Sequence, residues 1–114
     1  MKTDKETNLE ELKELIRNFR RERDWGKYHT PKDLAEAIII EAAELLEHVL
    51  WKTTDESKTL PTNHSKKAQM AEELADVIIY CLNFADITGI DIAQAVRKKI
   101  RKNSKKYPAE NKNK

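Results

Sequence analysis

Two stretches of this chain, residues 31–51 and 65–86, are spaced as helices yet carry apolar side chains around nearly their whole circumference. At about 100° per residue, Ile39, Ala43, Leu46 and Leu50 fall on one side of the earlier stretch, and Leu34, Ala37, Ile38 and Leu45 on another. A helix on the surface of a globular protein buries one stripe, so both stretches need cover on more than one side. Turn residues are too scarce for a β-rich alternative: there are two Gly and three Pro among 114 residues. The fold class this implies is all-α, a four-helix bundle. Four helices cannot wrap both sides of two such helices, and a second copy of the chain is the simplest cover. A homo-oligomer, dimer or tetramer, is therefore expected.

Punctuation along the sequence sets the helix boundaries. Residues 1–8 are polar and read as a flexible N-terminus; Thr7 and Glu10 have capping-box spacing, so a first helix should begin near Asn8. Leu9, Leu12, Leu15, Ile16 and Phe19 give it one apolar stripe. Thr30-Pro31 with Asp33 opens a second helix that the apolar pattern carries to about Trp51. Residues 52–64 read as a polar loop without a motif. Ser65 is positioned to cap a third helix ending near Asp86, with Gly89 close behind. Asp91 and Gln94 start a fourth, which Tyr107-Pro108 stops after Lys106. One domain over 9–108 and a disordered tail over 109–114 complete the expected organisation.

Net charge is +2, which gives no overall bias toward nucleic acid. Seven basic residues and no acid lie between Arg97 and Lys106, either a solvated helix face or a phosphate-facing one. The single cysteine, Cys81, sits in an apolar run and reads as a small core residue. No stretch has the length or purity of a membrane span, so a cytoplasmic location is expected, with neither membrane nor nucleic acid as a partner.

Acids interrupt the apolar helices where core residues belong. Glu41 and Glu44 share an arc with Leu34, Ala37 and Leu45, and Glu73 and Asp76 share one with Val77 and Tyr80. Each pair is spaced i, i+3, which brings the two carboxylates together. Burying such acids unpaired costs on the order of several kcal/mol each, so something cationic must meet them. Lys or Arg partners, open solvent and a metal ion all satisfy that demand. A di-iron bundle would need Glu-x-x-His on two helices; His48 follows Glu44 by four, but the later helix has no counterpart. An all-oxygen set suits Mg²⁺, or Mn²⁺ in its place, and Mg²⁺ shares its shell readily with substrate phosphates.

These residues resemble the signature of the all-α MazG-like nucleotide pyrophosphohydrolases, E-x-x-E followed by E-x-x-D, here Glu41-Ala42-Ala43-Glu44 and Glu73-Leu74-Ala75-Asp76. The resemblance spans about residues 9–108 and is strongest to the dCTP pyrophosphatase branch. Glu22-Arg23-Asp24-Trp25, Tyr28-His29, Pro31, Leu34, Trp51, Tyr80 and the closing Lys99, Asn103, Lys106, Tyr107, Pro108 all match that branch. The chain departs from it at Ile16, where pyrimidine-preferring relatives carry histidine, so the base preference is left open.

The resemblance implies an Mg²⁺-dependent enzyme that splits a nucleoside triphosphate, dCTP or a related deoxynucleotide, between its α and β phosphates. It assigns the metal to Glu41, Glu44, Glu73 and Asp76, with Glu44 and Glu73 the candidates for accepting the attacking water's proton. Trp25, Trp51 and Tyr80 would contact the nucleoside, and Lys99, Asn103, Lys106 and Tyr107 the phosphates. Two other readings compete. A non-enzymatic helical dimerisation or RNA-binding module would use Arg97, Lys98 and Arg101, and would leave the four acids without a purpose. A bundle acting on a phosphoribosyl-ATP-like substrate would not need Trp25, Trp51 or the Tyr107-Pro108 ending.

Overall fold

Local capping chemistry decides where each helix begins. In the computed structural model, which describes residues 1–110, there are five α-helices: α1 (Leu9–Glu22), α2 (Pro31–Glu47), α3 (Thr54–Thr59), α4 (His64–Thr88) and α5 (Ile92–Lys106). Short 3₁₀ turns occupy Gly26–Tyr28 and Leu60–Thr62, and no strand occurs among the described residues. Helix α2 starts as its sequence dictates, with Pro31 in the first turn and the Thr30 hydroxyl oxygen accepting from the Asp33 N–H at 3.2 Å. Helix α5 likewise starts at Asp91, whose carboxylate accepts from the Gln94 N–H at 2.9 Å.

Several boundaries differ from the sequence reading. Asn8, not Thr7, caps α1, its side-chain oxygen accepting from the Glu11 N–H at 2.9 Å. Asn63, not Ser65, caps α4 by accepting from the Lys66 N–H at 3.1 Å. Helix α2 stops at Glu47 rather than Trp51, because the N–H groups of His48 and Val49 turn to the carbonyls of Leu45 and Leu46. Helix α4 runs two residues past Asp86, to Thr88. The stretch read as plain loop contains α3, held by a complete capping box in which the Thr53 hydroxyl accepts from the Glu56 N–H at 3.1 Å and the Glu56 carboxylate from the Thr53 N–H at 2.9 Å.

Helices α1 and α4 end in the same way. Beyond α4, Gly89 is left-handed at φ 72°, and Ile90 donates back to the Ala85 carbonyl at 2.9 Å. Beyond α1, Asp24 is left-handed at φ 52°, and Trp25 donates back to Arg20 at 3.1 Å. That second reversal folds Trp25 against Phe19, ring centroids 5.6 Å apart and edge to face.

Packing concentrates on α4, with α2 and α1 both laid against it. Leu34 of α2 and Leu82 and Ala85 of α4 are fully buried. A charge clamp ties α1 to α4: Asp86 Oδ1 accepts from Arg17 at 2.8 Å, and its Oδ2 from Arg20 at 2.8 Å. Arg20 also donates to Oδ1 of Asn83 at 2.9 Å. One side of α2 meets α4 as the sequence demanded; on the other side Ile39, Leu46 and Leu50 stand exposed. Helix α5 makes only sparse contact with the rest, so no four-helix bundle closes within one chain.

The accessible surface is 9592 Å², against about 6,500 Å² for a compact monomer of this mass. The radius of gyration is 17.4 Å, against about 13 Å for a globule of this length. Residues 1–8, expected to be flexible, hold one turn closed by Glu6 N–H on the Thr3 carbonyl at 3.0 Å. Of the expected tail, Ala109 and Glu110 have no regular structure and 111–114 lie outside the described residues.

The Asp86 carboxyl is held below the ordinary carboxylate range, chiefly by its hydrogen bond to Arg17 and then, against some desolvation, by Arg20. Its contribution is full above the unfolded value of about 3.9 and is lost as pH falls through the depressed folded value. Asp86→Asn should therefore lower stability at pH 7 by about 2–4 kcal/mol, with the gap to the unaltered protein narrowing below about pH 4 in urea titrations. Gly89→Ala should cost about 1 kcal/mol from backbone strain alone, because nothing lies within 4 Å of the added carbon.

Candidate metal centre

The pairing of α2 with α4 brings the two acid pairs face to face. One carboxylate oxygen from each of Glu41, Glu73 and Asp76 lies within 4.8 Å of the other two, the one such cluster among the described residues. Glu44 falls outside that three-residue group but is close enough to Glu41 and Glu73 to raise the carboxyls of both. No Lys or Arg pairs with any of the four among the described residues. The nearest basic group is His48, with Nε2 3.8 Å from Glu73 Oε1.

Electrostatics mark the cluster as incomplete by itself. Desolvation is the largest influence raising the Glu41 carboxyl, followed by the contact with Glu44 and repulsion from Asp76 and Glu73. Glu73 is raised in the same way, desolvation first and Glu44 next, with His48 opposing. Glu41 Oε2 is buried without a hydrogen-bond partner. Four converging carboxylates with an unsatisfied oxygen fit a hard divalent cation and offer no nitrogen or sulfur set for a softer one. Of the three partners the sequence allowed these acids, Lys or Arg is absent and open solvent does not suit a buried oxygen.

The acids stand between two cavities. A polar one of about 540 Å³ is lined by Glu44, Glu73, His48, Trp51, Lys52 and Lys66 among others. The second, about 860 Å³ and mostly apolar, lies between α1 and α4 and includes Asp76, Phe19, Trp25, His29, Tyr80 and Asn83. Aromatic rings run along it in sequence: Phe19 to Trp25 at 5.6 Å, Trp25 to His29 at 6.2 Å, and His29 to Tyr80 at 6.5 Å. Burial lowers the His29 pKa, with the Arg20 charge acting in the same direction.

Trp25 and Tyr80 thus meet in one cavity, and Trp51, 90% exposed, lines the other. Lys99, Asn103, Lys106 and Tyr107 belong to α5 and its end, and line neither cavity. Lys106 instead lies over the Tyr107 ring, 5.3 Å from its centroid. Sequence reasoning missed Arg20, Asn83 and the cavity lysines, set His48 aside for want of a counterpart on the later helix, and gave His29 no role from spacing. Arg20 carried one visible signal, since it stands four residues after Ile16 and so continues the apolar stripe of α1. Asn83 carried another, as an amide inside an apolar run.

A helical pair that gathers Glu41, Glu73 and Asp76, with Glu44 beside them and a cavity on each side, forms an all-α carboxylate cluster of the kind a divalent cation would complete. Comparison with known proteins makes the assignment specific. The MazG-like family pattern matches residues 37–114, and the chain belongs to that family. It is 36% identical over 104 residues to human dCTP pyrophosphatase 1, and 35% identical over 103 residues to the bovine protein. Those matches cover 91% and 90% of this chain; the chain spans only 61% of the length of either relative. Among solved structures, a pyrophosphatase from Archaeoglobus fulgidus superimposes with a TM-score of 0.82 at 45% identity, covering 89% of this chain and 93% of that one.

If the acids are strained by their own repulsion, removing one charge and adding a cation must act in opposite directions. Without metal, Glu41→Gln should melt higher than the unaltered protein. Adding Mg²⁺ should raise the melting temperature of the unaltered protein saturably, by the equivalent of about 1.4 kcal/mol at ten times the dissociation constant. Glu41→Gln should lose most of that response. Scanning fluorimetry across an Mg²⁺ series reads both effects.

Proposed function

We propose that this chain hydrolyses a nucleoside triphosphate, dCTP or a related deoxynucleotide, between the α and β phosphates, releasing pyrophosphate and the monophosphate. The observation that carries this reading is the position of the carboxylates, between an aromatic cavity of nucleoside size and a polar cavity containing Lys52 and Lys66. The names of its relatives support the same reaction. Glu41, Glu44, Glu73 and Asp76 hold Mg²⁺, with Mn²⁺ a substitute. When bound, that ion neutralises charge on the phosphates and acidifies water beside them.

The protein's own groups do the rest. Trp25 and Tyr80 flank the nucleoside in the aromatic cavity, and Trp51, which lines the polar cavity of its own chain, contacts a nucleoside bound by a second chain; each stacked ring is worth about 1–3 kcal/mol per base. Glu44 or Glu73 accepts the proton of the attacking water. The raised proton affinity of Glu73 suits that task. Lys99, Asn103 and Lys106 share a face of α5 and hold the outer phosphates, with Tyr107 beside them. Since α5 lies apart from the acids of its own chain, these groups act on the site of a second chain. The surface in excess of a compact monomer, with Ile39 and Leu46 exposed on α2, Leu50 just beyond it and Leu74 and Ile78 on α4, supports that homo-oligomer. The cytoplasm, which supplies both triphosphates and Mg²⁺, is the fitting location.

Incubation with each triphosphate and Mg²⁺ should release pyrophosphate rather than orthophosphate. Glu44→Gln and Asp76→Asn should each reduce the rate by more than about a hundredfold, beyond the effect of a residue that only supports a metal ligand. Orthophosphate as the sole product would move the cleaved bond. Absence of any turnover, with RNA binding that Arg101→Ala abolishes, would replace the enzyme with a binding module. Lys99→Ala mixed with Glu44→Gln should regain part of the activity that each lacks alone, since mixed assemblies contain intact sites. No recovery would return α5 to its own chain's site.

A further inference from the structure

On the wall of the aromatic cavity, Asn83 has one half of its amide engaged by the protein and the other half free. Asn83 is 3% exposed and lines the cavity wall. Its orientation is fixed chemically: Arg20 donates to it at 2.9 Å, and a guanidinium has no acceptor, so the atom facing Arg20 is Oδ1. Arg20 is anchored in turn by Asp86 at 2.8 Å, and Asp86 by Arg17 at 2.8 Å. Asp86 does not line the cavity, so its acceptor oxygens are spent behind the wall. What remains is the Asn83 Nδ2 amine, which donates to nothing among the described residues. That amine is not sealed into the wall: it is open to the cavity, where a ligand oxygen is placed to accept from it.

Resting on the nucleotide reading above, we infer that Asn83 is a base-reading residue: its Nδ2 donates to a carbonyl oxygen of the nucleobase, and Arg20 and Asp86 position it. Stacking against Phe19, Trp25 and Tyr80 accepts any base, so this donor supplies discrimination that stacking cannot. Cytosine, thymine, uracil and guanine each carry a carbonyl oxygen. Adenine carries none and can meet the Nδ2 amine only through a ring nitrogen, which offers one lone pair of fixed direction where a carbonyl oxygen offers two. Adenine nucleotides are thus the poorest ligands of the site. Ile16, which also lines the cavity, offers no polar group to take over this role.

The test is the ranking of dCTP, dTTP, dGTP and dATP by kcat/KM in the unaltered protein and in Asn83→Asp. That change keeps the shape and the bond from Arg20 but turns the donor into an acceptor. The unaltered protein should disfavour dATP by about tenfold to a hundredfold, chiefly through KM. Asn83→Asp should erase or invert that ranking with kcat for dATP little changed, and Arg20→Lys should weaken it. A merely structural Asn83 would lower all four rates together and leave the order intact, which overturns the inference. Calorimetric binding of dCMP and dAMP gives a readout without turnover: equal affinities also overturn it, even if the cleavage reaction were wrongly assigned. If no triphosphate is cleaved but dCMP still binds more tightly than dAMP and Asn83→Asp removes the difference, the base reading stands and the reaction falls. Should Asn83→Asp fail to fold, Asn83→Ala removes the same donor without adding a charge and must likewise flatten the ranking.

Discussion

Repulsion among four carboxylates, held together by the hydrophobic pairing of α2 with α4, is the constraint around which this protein is arranged. Apolar side chains on both helices force the helices into contact, and the i, i+3 spacing of the acids decides that contact brings charges together. Glu41 retains a buried oxygen with no partner, and the Glu41 and Glu73 carboxyls are pushed toward protonation. A sequence selected for stability alone would place leucine there. The departure from good packing therefore locates the chemistry, as it does wherever function opposes stability.

The same logic separates the two faces of α4. Toward α2 it presents Glu73 and Asp76; toward α1 it presents Asn83 and Asp86, which meet Arg20 and Arg17. On the first face like charges converge without a protein cation, whereas on the second each carboxylate oxygen has a guanidinium. The first face suits a site that is completed by something from outside. The second is complete within the chain, and it fixes the angle at which α1 and its aromatic end overhang the cavity.

Much of this was legible in the sequence, for identifiable reasons. Helical spacing of apolar residues is a strong signal, so α1, α2, α4 and α5 were located, and the Thr30-Pro31 and Asp91 starts were right to the residue. The all-α class and the acid cluster followed from periodicity. What failed was local. Helix α3 spans six residues with no apolar stripe, and only its capping box marks it. Asn8 and Asn63 displaced Thr7 and Ser65 as caps because several polar residues stood in a row, and their competition is settled by backbone geometry. Periodicity also carried α2 four residues too far, since Leu50 and Trp51 keep the helical spacing after the hydrogen bonds have tightened. The clamp was invisible for another reason: Arg17 and Asp86 are 69 positions apart, and nothing local announces such a pair.

The backbone reversal at Asp24 has a practical consequence. Because that left-handed residue, rather than deep burial, sets the direction of Trp25, the indole is presented at the cavity while 41% exposed. The chain's other indole, Trp51, belongs to the opposite cavity. Each compartment thus contains its own indole, and replacing either one with phenylalanine leaves a single indole emitter beside a known wall. Quenching, spectral shift and lifetime can then be followed separately on the two sides of the acids, without an attached dye.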